Sequence, residues 1–201
     1  EIPQYAVEYT ELRSISEPVQ LSFRGDTDVA LLPVEVGPSG CWWSNSGDSI
    51  DSTLSHQIEI PMGSTAVLKY EVWFEVEEDW DYVYIEVSVD GGENWQIIET
   101  PETSAENPLG NAFGAGYTGE SDGWLADVVD LTPFAGEDPW IRFQYVTDDA
   151  INAAGACFRD ISISPAGMTA NEYDWTAQGF AFTDNVVRQD FQVQLITVGD
   201  E

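Results

Sequence analysis

Residues 67–95 read VLKYEVWFEVEEDWDYVYIEVSVDGGENW, and this stretch decides the fold. Val67–Phe74 and Tyr82–Val89 are rich in β-branched and aromatic residues and alternate along their length, as strands do and helices do not. In the second run Val83, Ile85, Val87 and Val89 point one way, and Tyr82, Tyr84, Glu86 and Ser88 the other. The acidic run Glu77–Asp81 marks the turn between them. Ser88–Trp95 forms a further turn, in which Asp-Gly-Gly supplies residues tolerant of positive φ and a carboxylate able to accept turn N–H groups. Its spacing resembles a single Asp-box, which as a lone copy reads as a structural hairpin.

Working outward, strand signals recur at 5–12, 19–23, 57–60, 95–98, 126–130, 140–147, 156–163, 179–183 and 191–198, while no segment keeps an apolar period of 3.6 residues over three turns. Many short strands separated by turn residues, with no helices between, predict an all-β sandwich. Gly37-Pro38-Ser39-Gly40 and Pro165-Ala166-Gly167 punctuate the chain, so residues 38–166 read as the main sandwich. The flanks, 1–37 and 167–201, are each too small to bury a core. They read as halves of a smaller β unit that the central domain interrupts, with hydrogen-bonded ladders expected between them.

The charge balance removes whole classes of partner. Asp and Glu number 37 against six Lys and Arg, for a formal net charge of -31. Such a polyanion repels phosphate backbones and anionic lipid surfaces, so neither nucleic acid nor membrane is an expected partner. No apolar run approaches the ~20 residues that span a bilayer. Hydrophobic residues at 43%, including 8 Trp, 8 Tyr and 9 Phe, predict a packed domain and not an acidic tail. The acidity reads either as a solubilising surface or as a supply of oxygen ligands for Ca²⁺, and the two are compatible. Starting at Glu1 with neither initiator Met nor signal peptide, the chain reads as a piece of a longer one.

Catalytic signatures are weak. Gly114–Gly119 matches GxGxxG, but it lies in a Gly-rich loop ahead of a strand, where a dinucleotide fingerprint needs a strand before and a helix after. His56 is the sole histidine, so neither His-Glu-x-x-His nor a nucleophile elbow with its triad can be assembled. Oxygen-rich loops occur at Asn45–Asp51, Glu77–Asp81 and Asp148–Asn152, and Asp160 interrupts an apolar strand, where it needs a cation, Arg159 or backbone N–H groups as partner. Ca²⁺ takes 6–8 oxygens, so one site built from two or three loops at one end of the sandwich is expected, with Asp48, Asp51, Glu77, Asp79 and Asp160 as candidate ligands. Cys41 and Cys157, the only cysteines, form no metal-binding pattern and allow one bridge.

An ordered set of motifs carries a resemblance. Cys41–Leu54 (CWWSNSGDSIDSTL), Trp73–Tyr82 (WFEVEEDWDY), the Ser88–Trp95 turn, Val129–Gly136 (VDLTPFAG), Ile141–Asp148 (IRFQYVTD), Phe158–Ile161 (FRDI), Trp175–Phe180 and Gln189–Ile196 follow one another as in the C-terminal region of immune inhibitor A-type (M6) metallopeptidases. The resemblance runs from about Tyr5 to Ile196, with Arg159 standing where the family often has Asp. It implies a MAM-like, galactose-binding-like jelly roll inserted in a smaller β domain, secretion, structural calcium, and a zinc peptidase domain upstream as the partner. In many jelly rolls the opening and closing strands pair antiparallel, so Cys41 and Cys157 are expected to be bridged. The function expected is that of a non-catalytic accessory region. A rival reading is a carbohydrate-binding or surface-adhesion module, in which Trp42, Trp43, Trp80 and Trp124 stack on a glycan.

Overall fold

The computed structural model describes residues 7–13, 17–164, 168–169 and 175–196, so the Pro165–Gly167 break lies outside the described residues. Among the described residues thirteen strands follow in chain order: β1 Asp28–Ala30, β2 Cys41–Trp43, β3 Asp51–Gln57, β4 Val67–Glu75, β5 Tyr82–Ser88, β6 Gln96–Ile97, β7 Leu125–Asp130, β8 Trp140–Val146, β9 Gly155–Ser164, β10 Met168–Thr169, β11 Thr176–Gln178, β12 Ala181–Thr183 and β13 Val186–Arg188. The helical content of the described residues is one 3₁₀ turn, Thr132–Phe134, so no described helix is long and apolar enough to cross a membrane.

The chain divides into two units, residues 30–187 and residues 1–29 with 188–201. The larger is a β-sandwich. One sheet has the order β12-β2-β9-β4-β7, with β10 also on β9, and the other β11-β3-β8-β5-β6. From β2 to β9 successive strands are dealt to the two sheets so that β9, late in sequence, lies between β2 and β4. The sandwich also takes in β11 and β12, from a segment that the sequence reading places in the smaller unit. β11 pairs with β3 and β12 with β2. A separate ribbon pairs β1 with β13.

Alternation on each strand builds the core. Leu68, Tyr70, Val72 and Phe74 of β4, Val83, Ile85 and Val87 of β5, Ile141, Phe143 and Tyr145 of β8, and Phe158 of β9 meet between the sheets. Phe143 sits near the centre, its ring 4.2 Å from Phe158, 5.1 Å from Tyr70 and 5.6 Å from Trp175. Buried among them is a polar knot. Asp127 accepts hydrogen bonds from the hydroxyls of Thr100 and Tyr117, and its other oxygen accepts the Val128 N–H at 2.7 Å. Burial and the neighbouring carboxylate push the Tyr117 hydroxyl well above the ordinary tyrosine range.

A second apolar cluster lies on the other face of the β2–β9–β4 sheet, where Leu32, Val36, Trp73 and the two cysteines pack together. Cys41 and Cys157 form a disulfide there, with Cα atoms 5.8 Å apart on the paired strands β2 and β9. Arg159 holds the incoming segment to this face. Its guanidinium pairs with Glu71 at 2.7 Å, lies 3.9 Å over the Trp124 ring and donates to the Val36 carbonyl.

The Ser88–Trp95 turn closes on itself. Gly91 and Gly92 take positive φ, Asp90 accepts from the Asn94 backbone and side chain and from the Ser88 hydroxyl, and Trp95 Nε1 donates to the Gly92 carbonyl. These donors, led by the Asn94 side chain, hold the Asp90 carboxyl down at about 2. Trp95 then lies against the Arg142 guanidinium, 4.0 Å away, which is itself paired with the buried Glu86.

Candidate metal centre

Three loops meet at the end of the sandwich where β4 passes to β5. The turn between them is wound tightly: Trp80 N–H and Asp81 N–H both donate to the Glu77 carbonyl, and Asp79 takes a positive φ of 65°. Asp tolerates this left-handed conformation better than most residues. The turn is pinned from outside by Thr118, whose hydroxyl accepts the Asp79 N–H at 2.7 Å and donates to the Glu77 carbonyl.

Asp81, immediately before β5, is in phase with Val83, Ile85 and Val87, and the same alternation that buries those three buries its carboxylate completely. One of its oxygens accepts the Asp148 N–H at 3.1 Å, and the other the Tyr145 hydroxyl at 3.4 Å. Asp148 follows β8 and is sewn to the loop between β2 and β3. Thr147 N–H donates to the Ile50 carbonyl, Ile50 N–H to the Thr147 hydroxyl, and that hydroxyl to the Gly47 carbonyl.

Glu77, Asp81 and Asp148 thereby each bring a carboxylate oxygen within 4.8 Å of the other two. Two oxygens bound to one Ca²⁺ at roughly 2.4 Å each lie at most about 4.8 Å apart, so the separation fits a shared ion. Burial first, and then the Asp148 charge, raise the Asp81 carboxyl above its ordinary value despite the Asp148 N–H. Glu77 is raised by desolvation and by its two acidic neighbours. Among the described residues the ion pairs fall elsewhere, on Glu11, Glu71, Glu86 and Asp160. Two like charges beside a buried carboxylate are costly unless a cation joins the three.

Of the five residues read from sequence as ligands, Glu77 stands in this cluster and the other four do not. Asp79 belongs to the same turn, where its carbonyl accepts the Tyr82 hydroxyl. Asp48 accepts the Asn152 side-chain amide at 2.6 Å, and Asp51 that of Gln144 at 2.8 Å. Asp160 is exposed. It is the extra residue of a β-bulge, where the β4–β9 register passes from Lys69↔Ser162 to Glu71↔Arg159, and its φ is 51°. A carboxylate inside an apolar strand here marks a bulge.

The four tryptophans proposed for stacking are mostly engaged. Trp42 meets Phe182 edge-on at 5.4 Å, Trp43 Nε1 donates to the Ala154 carbonyl, and Trp124 Nε1 donates to the Glu35 carbonyl beneath Arg159. Of the four, Trp80 alone is exposed, at 46%. His56, in β3, faces Trp175, with ring centroids 5.3 Å apart.

Comparison with known proteins places this chain in a family. Residues 16–185 match the immune inhibitor A-like MAM domain. The chain is 29% identical to the pre-pro-metalloprotease PrtV of Vibrio cholerae over 126 residues, 63% of this chain and 13% of that protein. It is 25% identical to bacillopeptidase F of Bacillus subtilis over 57% of this chain and 7% of that protein, and 22% identical to immune inhibitor A of Bacillus thuringiensis over 71% and 20%. The chain thus spans a fifth or less of the length of each of these relatives. With five-sixths of its length matched, the chain belongs to the immune inhibitor A-like MAM domain family.

Proposed function

We propose that this chain is a non-catalytic accessory β-sandwich of a secreted, M6-like zinc metallopeptidase, stabilising or positioning a catalytic domain carried elsewhere in the same polypeptide. The observation that carries this reading is the family match joined to relatives named metalloprotease and immune inhibitor. The chain's own chemistry agrees: a zincin centre takes two histidines from His-Glu-x-x-His, and the sequence has one histidine. The full-length polypeptide is expected to cleave a generic protein substrate and to lose that activity to a zinc chelator. The 201-residue chain supplied with Zn²⁺ should cleave nothing. Chelator-sensitive proteolysis by the short chain would overturn the accessory reading.

In the same reading Ca²⁺ is structural, held by Glu77, Asp81 and Asp148. A bound ion supplies positive charge, and the three residues tie the β4–β5 turn to the segment after β8. Binding to the native state alone stabilises by RT ln(1 + [L]/Kd), about 2.7 kcal/mol at a hundredfold excess over Kd, or a rise in Tm of roughly 5–10 °C. Chelation should lower Tm by that amount and Ca²⁺ should restore it. Na⁺ at matched ionic strength should not. Asp81→Asn is expected to abolish the response, while Asp48→Asn and Asp160→Asn keep it. Equal rescue by Na⁺ would reduce the effect to screening of a polyanion.

A further inference from the structure

The smaller unit carries an apolar stripe of unusual composition. Val19, Leu21 and Phe23 recur at every second position, as do Phe191, Val193 and Leu195, with Gln20, Ser22, Gln192 and Gln194 between them. Spacing of two places each trio on one face of an extended segment. All six side chains are between 51% and 79% exposed. The two segments run together: the Phe23 and Phe191 rings lie 5.2 Å apart, the Gln189 N–H donates to the Thr27 carbonyl at 2.7 Å, and Phe191 occupies the space a side chain at Gly25 would need. Isolated exposed apolar residues are ordinary, but a contiguous set marks a contact surface.

Two further facts identify what covers it. Residues 18–25 and 191–196 contain no Asp or Glu, although the chain has 37. A solvated face of this protein would carry acids, and this one is kept free of them. A second copy is a poor occupant, because each copy brings a formal charge of -31 and the pair repels. The relatives, in contrast, extend far beyond the matched region, which is 7–20% of their length.

We propose that this stripe docks an apolar β-sheet face supplied by the remainder of the same polypeptide, completing a β unit to which residues 18–25 and 191–196 contribute two extended segments. Two such segments alone have no core, so the unit needs that partner. The proposal rests on reading the chain as one region of a longer protein. Hydrogen exchange followed by mass spectrometry tests it on the full-length polypeptide and on the 201-residue chain in parallel. Amides of residues 18–25 and 191–196 should exchange at least about tenfold more slowly in the full-length protein, which corresponds to about 1.4 kcal/mol of local protection. A photo-crosslinker, p-benzoylphenylalanine, at Leu21 of the full-length protein should form its adduct with residues outside these 201. Equal exchange in the two proteins, or an adduct with a second copy or with residues 30–187, overturns the proposal. Zinc-dependent proteolysis of the same preparation is read separately. Protection in a protein with no zinc peptidase activity keeps the docking surface and sinks the accessory reading, and fast exchange in an active zinc peptidase does the reverse.

Discussion

Replacing Cys41 and Cys157 together with Ala is expected to cost about 4–5 kcal/mol, because the bridge closes a loop of more than a hundred residues in the unfolded chain. The two cysteines are 116 residues apart in sequence. Cross-linking them removes most of the unfolded chain's freedom to separate its ends, and the entropic gain rises slowly but steadily with loop length. Total stabilities are commonly 5–15 kcal/mol, so this one bond accounts for a large share. Alanine is the appropriate replacement, since both positions are fully buried and a serine would bury an unpaired hydroxyl. Urea midpoints of the oxidised chain and the double variant, at equal m, give the difference directly. A loss below about 1 kcal/mol would mean that the reduced, unfolded chain already holds these two strands together.

The second large effect is expected at the middle of the sandwich. Phe143→Ala should destabilise by about 3–5 kcal/mol, the range for deleting a buried phenyl group and leaving a partly relaxed cavity. Phe143 is fully buried and is ringed by Phe158, Tyr70 and Trp175, which belong to three different strands or their flanks. None of these rings can close the gap without leaving its own contacts. Phe182→Ala provides the comparison: that ring lies against Trp42 on the edge strand β12 and is 41% exposed. Its loss should cost about 1 kcal/mol or less. Similar costs at the two positions would place the energetic centre of the domain somewhere other than between the sheets.

The sandwich class was legible because β4, β5 and β8 alternate cleanly, with one face apolar. β3 was not legible as a strand. Asp-Ser-Thr-Leu-Ser-His-Gln has Leu54 as its one aliphatic residue, and its inward positions are filled by Ser52, Leu54 and His56. What makes it a strand is the seven-residue pairing with β8, a tertiary fact that local pattern does not report. Strands expected at 19–23 and 191–198 are not formed over 19–23 and 191–196, where the alternation is present but no ladder pairs these segments with a strand among the described residues.

The carboxylate cluster shows a different limit. Asp81 could have been found, since counting back by two from Val83 puts it on the buried face, where a carboxylate needs an explanation. Reading Glu77–Asp81 as one acidic turn hid that phase. Asp148 was visible only as an oxygen-rich loop residue, and its approach to Asp81 depends on β8 lying beside β5. Asp160 lies apart from the cluster because a bulge admits a polar residue to an apolar strand. Tryptophans are hard to assign from sequence because indole rings serve equally as packing, as hydrogen-bond donors and as platforms for arginines.

The position of β9 governs how the domain can come into being. β9 lies between β2 and β4, yet it ends at Ser164, after every other strand of the β2–β9 set has been made. Until it emerges, β2 lacks its neighbour on that side, β4 lacks one of its two, and the disulfide has only one of its sulfurs. Synthesis must therefore pass Ser164 before the first sheet can close, and folding of this region is a late, largely all-or-none event dominated by distant pairings. Such topologies fold at the slow end of the small-domain range, in milliseconds to seconds. A chain ending before Gly155 should accumulate unfolded, whatever the quality of its first eight strands.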